Sequence, residues 1–147
     1  MSKIVIIGAG STSFGPSILG DLFLNAHLLQ HSEIWLVDTN PESLDLVARY
    51  AERLLKSEIG KGHLAAGQIA IHARQDRREA LPNADFVIVS VAVDRVATWK
   101  LDWQIPLKHG VRHVLGENGG PGGLSHALRN IPLLLGIAQD VERLAPR

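Results

Sequence analysis

Near its N-terminus the chain reads Ile4-Val5-Ile6-Ile7-Gly8-Ala9-Gly10-Ser11-Thr12-Ser13-Phe14-Gly15. The first four of these residues are apolar and β-branched, which is typical of a strand buried on both faces of a parallel sheet. The strand pattern stops at Gly8, and from Pro16 onward apolar residues recur every three or four positions. The stretch therefore predicts a strand, a glycine-rich turn and a helix, in that order.

The alternation of strand and helix continues along the rest of the chain. Asn40 and Pro41 suit the cap and the first position of a helix. Strands are predicted over 4–7, 34–37, 68–72, 85–90 and 111–115. Helices are predicted over 16–29, 41–59, 97–109 and 124–144, with a helical turn at 77–81, a loop at 116–123 and kinks at Pro106 and Pro132. This order predicts an α/β fold, a Rossmann-like doubly wound and mainly parallel sheet with helices on both faces, as one domain over 1–147.

Composition excludes several classes of protein. The 147 residues are 46% hydrophobic and 20% charged, which is the range of globular domains and not of disordered chains. Fifteen basic residues balance fifteen acidic ones, so no charge excess favours a nucleic-acid partner. The first apolar run has only four residues, too few for a signal peptide or a membrane span. With no cysteine for disulfides or thiolate sites, we expect a cytoplasmic protein that binds neither nucleic acid nor membrane.

The glycine-rich turn is a candidate phosphate cradle. Gly8 permits a tight turn, and the missing side chain at Gly10 lets backbone amides and the helix N-terminus approach a diphosphate. Ser13 stands where the usual dinucleotide fingerprint has its third glycine. Glycines often only form turns between secondary-structure elements, but the strand before this turn and the helix after it favour cofactor binding.

Asp38 follows the second predicted strand, 28 residues after Gly10. A carboxylate at this place can accept hydrogen bonds from both ribose hydroxyls of adenosine. No Arg or Lys occupies positions 39–43 to neutralise a 2′-phosphate, so NAD is favoured over NADP. The alternative is that Asp38 only starts a turn and stabilises the next helix N-terminus.

The loops after the fourth and fifth predicted strands open onto the same edge of the sheet. Arg95 in the first loop could bind substrate oxygens in a bidentate manner, or be a solvated surface charge. Glu117 in the second loop lies among glycines that offer no packing, so the sequence alone favours a solvated loop acid. Gly110 separates His109 from His113, and no metal site is predicted. His126 and Arg129, near the start of the last predicted helix, could face the crevice but are expected on the surface.

Several motifs resemble the NAD- and manganese-dependent family 4 glycoside hydrolases, and the resemblance covers the whole chain. The Gln-Ile-Pro and Gly-Pro-Gly-Gly segments are its most specific parts. The matching segments are Ile7–Ser11, Gly20–Leu22, Leu36–Asp38, Ala84–Phe86, Gln104–Gly110, Glu117–Gly123 and Ala127–Arg129.

The resemblance implies hydrolysis without net redox change. Bound NAD would oxidise C3 of a sugar, the C2 proton would become acidic, the glycosidic bond would leave by elimination, and water would add before the hydride returns. It implies a sugar substrate, Arg95 and Glu117 as substrate-binding residues, and the cofactor-binding residues Gly8, Gly10, Ser11, Thr12 and Asp38.

The same resemblance limits what this chain can do. The Mn²⁺ ligands and the catalytic acid and base are expected beyond residue 147, so the chain has no catalytic residue and is expected to be the inactive N-terminal part of a longer, homo-oligomeric enzyme. Gly116 and Asn118 stand where many members carry Gln and Thr, which leaves sugar specificity open.

Two alternatives use the same fold. A lactate/malate-type 2-hydroxyacid dehydrogenase would also place a substrate arginine after the fourth strand, although Ser13 and the Gly-Pro-Gly-Gly loop argue against it. A non-enzymatic nucleotide-binding domain would bind NAD without turnover.

Overall fold

Four strands, with helices between them, form the part of the chain from Lys3 to Val89. The computed structural model describes residues 2–146; Met1 and Arg147, the ends of the predicted domain, lie outside the described residues. The strands are β1 (Lys3–Ile7), β2 (Ser32–Val37), β3 (Ile69–Arg74) and β4 (Phe86–Val89). The helices are α1 (Phe14–Leu24), α2 (Pro41–Gly60), α3 (Arg77–Ala80), α4 (Arg95–Lys108) and α5 (Gly120–Leu144), with a 3-10 turn over Ala26–Leu28.

All four strands run parallel in the order β3-β2-β1-β4. Ile6 of β1 lies beside Leu36 of β2 on one side and Ile88 of β4 on the other. The chain thus moves outward from β1 to β2 and β3, then returns to the far side of β1. The carboxyl end of β1 is therefore the point where the strand order reverses, which is where open α/β sheets bind ligands. The predicted α/β class and parallel sheet are confirmed.

The core explains why β1 is apolar at every position from 4 to 7. Ile4 and Ile6 pack with Leu19 of α1 and Val47 of α2 on one face of the sheet. Val5 points to the opposite face and is fully buried as well. Both faces of the strand are therefore covered, as its unbroken β-branched run predicts.

The predicted fifth strand over 111–115 is wrong. The chain there is a loop whose backbone groups bond to α4, because Val111 N donates to Pro106 O at 3.0 Å and the Trp103 indole donates to His113 O at 3.1 Å. Val114 is 87% exposed. Since its apolar residues do not alternate strictly, the segment has no face to bury against a sheet.

Two helix boundaries also differ from prediction. The helix α5 begins at Gly120, inside the predicted loop over 116–123, because Pro121 fits a first helical turn. It continues unbroken through Pro132. The helix α1 ends at Leu24 and not at residue 29. The side-chain amide of the next residue, Asn25, donates to the Asp21 carbonyl oxygen at 2.9 Å and interrupts the helical pattern.

The chain divides into two compact units. The sheet unit comprises residues 1–91 and 140–147, and the helical unit comprises residues 92–139. Between Ser2 and Pro146, no helix combines the length and hydrophobicity needed to cross a bilayer.

Candidate functional site

Gly8 lies at a place in the sheet unit where no side chain fits. Its φ is +86°, and a Cβ there would lie 2.0 Å from the Ser90 carbonyl oxygen that follows β4. Its amide and that of Ala9 both donate to Val37 O, at 2.8 and 3.0 Å. The turn is therefore anchored to the end of β2 and pressed against the end of β4, as expected for the tight turn of a dinucleotide-binding loop.

Gly10 brings the loop against Asp38. The Gly10 amide donates to Asp38 Oδ2 at 2.9 Å, and Asp38 Oδ1 accepts from the Asn40 amide at 2.9 Å. A Cβ at Gly10 would lie 2.8 Å from Asp38 Oδ2 and 2.7 Å from Ser43 Cβ. The missing side chain thus lets the ribose-binding candidate and the phosphate-binding candidate form one continuous surface.

The next residues form the start of α1. Ser13 is the cap residue of α1 and makes no side-chain cap bond, whereas the Ser11 hydroxyl accepts from Phe14 N at 3.2 Å and the Ser11 carbonyl accepts from Gly15 N at 3.0 Å. Within residues 2–146, the amides of Thr12 and Ser13 donate no hydrogen bond to another residue. Two donors at a helix N-terminus are suited to an anion, because the helix dipole adds positive potential there.

Gly15 plays the part of the third glycine, a role that the usual fingerprint spacing gives to position 13. A Cβ at Gly15 would lie 2.1 Å from the Ala9 carbonyl oxygen and 3.6 Å from Val47 Cγ2. The helix α1 can therefore pack closely on the loop only because Gly15 has no side chain. The signal was present in the sequence, as a glycine directly before the helix-favouring Pro16.

The start of α2 is fixed as predicted. The Asn40 side chain accepts from the amides of Glu42 and Ser43, each at 3.0 Å, and Pro41 begins the helix. The alternative role of Asp38, starting this turn, is met by its bond to the Asn40 amide. That bond uses Oδ1, while Oδ2 accepts from the Gly10 amide of the glycine-rich turn.

Arg95 and Glu117 both lie in the helical unit. Arg95 is the exposed first residue of α4, directly after Asp94, whose φ of +43° is in the left-handed region. Glu117 accepts a hydrogen bond from the Trp99 indole nitrogen. Since Trp99 follows Arg95 by one helical turn, Arg95 and the tryptophan that contacts Glu117 lie on the same face of α4.

Glycines pack the Glu117 loop tightly, contrary to the expectation that they offer no packing. A Cβ at Gly116 would lie 3.0 Å from Asp102 Cβ and 3.0 Å from Trp99 O. A Cβ at Gly122 would lie 2.4 Å from Asp102 O. The loop before α5 thus rests on the backbone of α4, and Glu117 is held and not free in solvent.

Arg129 is paired and partly buried, so the expectation of a surface residue is wrong. Its guanidinium contacts both carboxylate oxygens of Asp102, with Nη1 to Oδ1 at 3.0 Å, and donates to Ser125 Oγ at 2.7 Å. Asp102 is 4% exposed. Burial raises the pKa of Asp102, but the hydrogen bonds and charge of Arg129 outweigh it and hold that pKa below its ordinary value. Separated by 27 positions, the partners left no signal in the sequence.

No group of three or more His, Asp or Glu side chains within residues 2–146 could hold a metal ion. Two sets of predicted site residues lie in different units. The glycine turn and the end of β2 in the sheet unit hold Gly8, Gly10, Ser11, Thr12 and Asp38, and the helical unit holds Arg95 and Glu117.

Comparison with curated proteins finds glycosidases. The chain is 47% identical over 146 residues to an alpha-glucosidase of Erwinia rhapontici, covering 99% of this chain and 30% of that protein. It is 37% identical to the 6-phospho-beta-glucosidase of Escherichia coli K12, covering 98% of this chain and 30% of the relative. The chain therefore spans about a third of the length of these relatives.

Solved structures give the same fold. A 6-phospho-alpha-glucosidase from gut microorganisms, solved with NAD and glucose-6-phosphate, matches 98% of this chain and 30% of its own at a TM-score of 0.80 and 29% identity. The 6-phospho-beta-glucosidase of Thermotoga maritima, solved with manganese, NAD+ and glucose-6-phosphate, matches 99% of this chain and 32% of its own at a TM-score of 0.82 and 25% identity.

A family profile decides the relationship. The profile described as "Family 4 glycosyl hydrolase" matches residues 3–147, which is nearly the whole chain. The resemblance found in the sequence motifs is thus confirmed, and the dehydrogenase alternative loses its support. This chain belongs to the family 4 glycosyl hydrolases.

Proposed function

We propose that this chain is the NAD-binding part of a glycosidase that cleaves O-glycosidic bonds through transient oxidation at C3 of the sugar. The observation that carries the proposal is the joined surface of Gly10 and Asp38, with the unused amides of Thr12 and Ser13 beside it. Two relatives solved with NAD share this fold at 29% and 25% identity, which supports the same cofactor here.

The residues present fit NAD. Gly8, Gly10 and Gly15 leave a cradle that any Cβ would fill, and the α1 N-terminus offers amide donors to a diphosphate. Asp38 can accept the adenosine ribose hydroxyls, while its negative charge opposes a 2′-phosphate. When bound, NAD supplies the reversible oxidation at C3 of the sugar.

The helical unit carries the proposed sugar contacts. Arg95 can bind sugar or phosphate oxygens with two parallel N–H donors, and Glu117 can accept a sugar hydroxyl while its carboxylate is oriented by Trp99. Neither residue is proposed as the acid or base of the reaction. Those groups and the Mn²⁺ ligands would come from other parts of a longer protein.

The proposal extends to the cellular location and the oligomeric state of the longer enzyme. The absence of cysteine is consistent with a cytoplasmic protein. We propose, from the family resemblance, that the longer enzyme is a homo-oligomer. The whole domain over 1–147 would then serve as its N-terminal cofactor-binding part.

Calorimetric titration of the 147-residue chain with NAD and NADP tests the central claim. We expect saturable NAD binding at one site and at least tenfold weaker binding of NADP, because a 2′-phosphate would face the Asp38 carboxylate. Absence of NAD binding, or a preference for NADP, would refute the proposal.

Turnover distinguishes a glycosidase from a module that only binds nucleotide. The longest reading frame containing this chain, supplied with NAD and Mn²⁺, should cleave a glycoside in D₂O and place deuterium at C2 of the released sugar. Cleavage with no deuterium at C2 would exclude the elimination route. NAD binding with no cleavage of glucosides or 6-phosphoglucosides would favour the non-enzymatic alternative.

A further inference from the structure

One ion pair ties the long helix α5 to α4 within the helical unit. Arg129 contacts Asp102 at two points, and the Asp102 side chain is only 2% exposed. The same guanidinium also donates to Ser125 Oγ at 2.7 Å. A planar fork held at three points has little rotational freedom, so the pair fixes the relative register of the two helices.

The ion pair reaches Glu117 through the backbone. Gly116, the residue before Glu117, is buried with its Cα hydrogens against Asp102 Cβ and Trp99 O, where an added Cβ would lie at 3.0 Å. Trp99 lies one helical turn before Asp102 and donates its indole N–H to the Glu117 carboxylate. A shift of Asp102 would therefore move both supports of the Glu117 carboxylate.

The residue after Arg129 secures the other sugar-contact candidate. Asn130 is 7% exposed; its Oδ1 accepts from Val93 N at 3.1 Å, and its Nδ2 donates to His126 O at 2.8 Å. Val93 lies two positions before Arg95. Consecutive residues of one helix thus hold the segments that carry Glu117 and Arg95.

We infer that Arg129 is a positioning residue for sugar recognition, acting through Asp102 and Trp99 to hold the Glu117 carboxylate, with Asn130 holding the turn before Arg95. The inference rests on the proposed function in one respect only, the claim that Glu117 and Arg95 contact the sugar.

The tryptophans provide a direct readout. The chain has three, and each indole N–H has its own acceptor: Trp35 donates to Glu33, Trp99 to Glu117 and Trp103 to His113 O. In ¹H–¹⁵N spectra of the indole groups, Arg129→Gln should move the Trp99 signal toward the position of a solvated indole. The Trp35 signal, which belongs to the sheet unit, should stay in place and show that this unit is folded.

Two further variants guard against a general loss of structure. Arg129→Lys keeps a charge facing Asp102 and should return the Trp99 signal part of the way. Arg143→Gln removes an arginine of the same helix that is 65% exposed and pairs with Asp140, and it should leave Trp99 unchanged. An unmoved Trp99 signal in Arg129→Gln, or an equal shift in Arg143→Gln, would overturn the inference.

Titration with glucose-6-phosphate, followed at the same indole signals, tests the link to recognition. Arg129→Gln should weaken sugar binding roughly 10- to 100-fold, as expected when a contact group is misplaced, while NAD affinity stays within twofold. A displaced Trp99 with unchanged sugar affinity would overturn the link. If the unmodified chain gives no response to the sugar, the proposed sugar contacts fail, whereas the positioning of Glu117 is still decided by the Trp99 signal.

Discussion

The amide of Gly10 donates to Oδ2 of Asp38 at 2.9 Å, joining the end of β1 to the end of β2. The two residues are 28 positions apart in the chain, but parallel pairing of β1 with β2 brings the carboxyl ends of both strands to one edge. This contact places a carboxylate beside the start of α1. Affinity for NAD and discrimination against NADP should therefore both depend on it.

Gly10→Ala should abolish measurable NAD binding by the chain. The new Cβ would lie 2.7 Å from Ser43 Cβ and 2.8 Å from Asp38 Oδ2, so either the loop or the α2 N-terminus must move. Gly20→Ala is the matched control, since its Cβ would meet no atom within 4 Å and should raise stability by up to about 1 kcal/mol. Calorimetric NAD titrations that gave equal affinities for the two variants would contradict this reading of the cradle.

Asp38→Ala should weaken NAD binding by about 1–3 kcal/mol, the range for a lost charge-assisted hydrogen bond. NADP should lose less, because removal of the carboxylate also removes its repulsion of the 2′-phosphate. The ratio of the two affinities, measured by calorimetry, should shift toward NADP. Asp45→Ala, which removes a carboxylate from an exposed pair with Arg49, should leave the ratio unchanged. An unaltered ratio in Asp38→Ala would remove this residue from the cofactor site.

Acid should weaken the Asp102–Arg129 contact. Because the pKa of Asp102 in the folded chain lies below its ordinary value of 3.8, the ionised carboxyl stabilises the fold above that pH. This stabilisation is lost as pH falls from about 4 through the lower folded pKa. Asp102→Asn should lower the free energy of unfolding by about 3 kcal/mol at pH 7, because Arg129 loses its anionic partner. On acidification this variant should lose less stability than the unmodified chain does.

Urea unfolding at pH 7 and at pH 3 measures this difference. Asp45→Asn serves as the control, because its carboxylate is 66% exposed and its removal should change stability by less than about 0.5 kcal/mol. Parallel pH profiles for the unmodified chain and Asp102→Asn would show that Asp102 carries no such linkage.

Asn40→Ala should separate stability from cofactor binding. The side chain caps α2 through two amides, so its loss should lower the free energy of unfolding by about 1 kcal/mol. The Asn40 amide that faces Asp38 is backbone and remains, so NAD affinity should not change. Chemical denaturation and an NAD titration of the same sample give both values. A large loss of affinity would mean that the cap itself shapes the cofactor site.

Features that depend on neighbours a few positions away were predictable. The β-branched run at 4–7 forms β1, Asn40 caps α2, and the spacing from Gly10 to Asp38 follows from two adjacent parallel strands. The prediction of a strand over 111–115 was wrong, because the segment is apolar like a strand but its backbone groups bond to α4.

Local patterns were enough to establish the alternating α/β order, the glycine turn and the acidic residue at the end of β2, since hydrophobic period, capping and glycine freedom act over a few residues. Three-dimensional packing was needed to show that Gly15 replaces the third glycine, that Trp99 holds Glu117 and that Arg129 pairs with Asp102. The latter two contacts join positions 18 and 27 apart. These contacts depend on how closely α4, the loop after it and α5 pack against one another, and no pattern of neighbouring residues determines that packing.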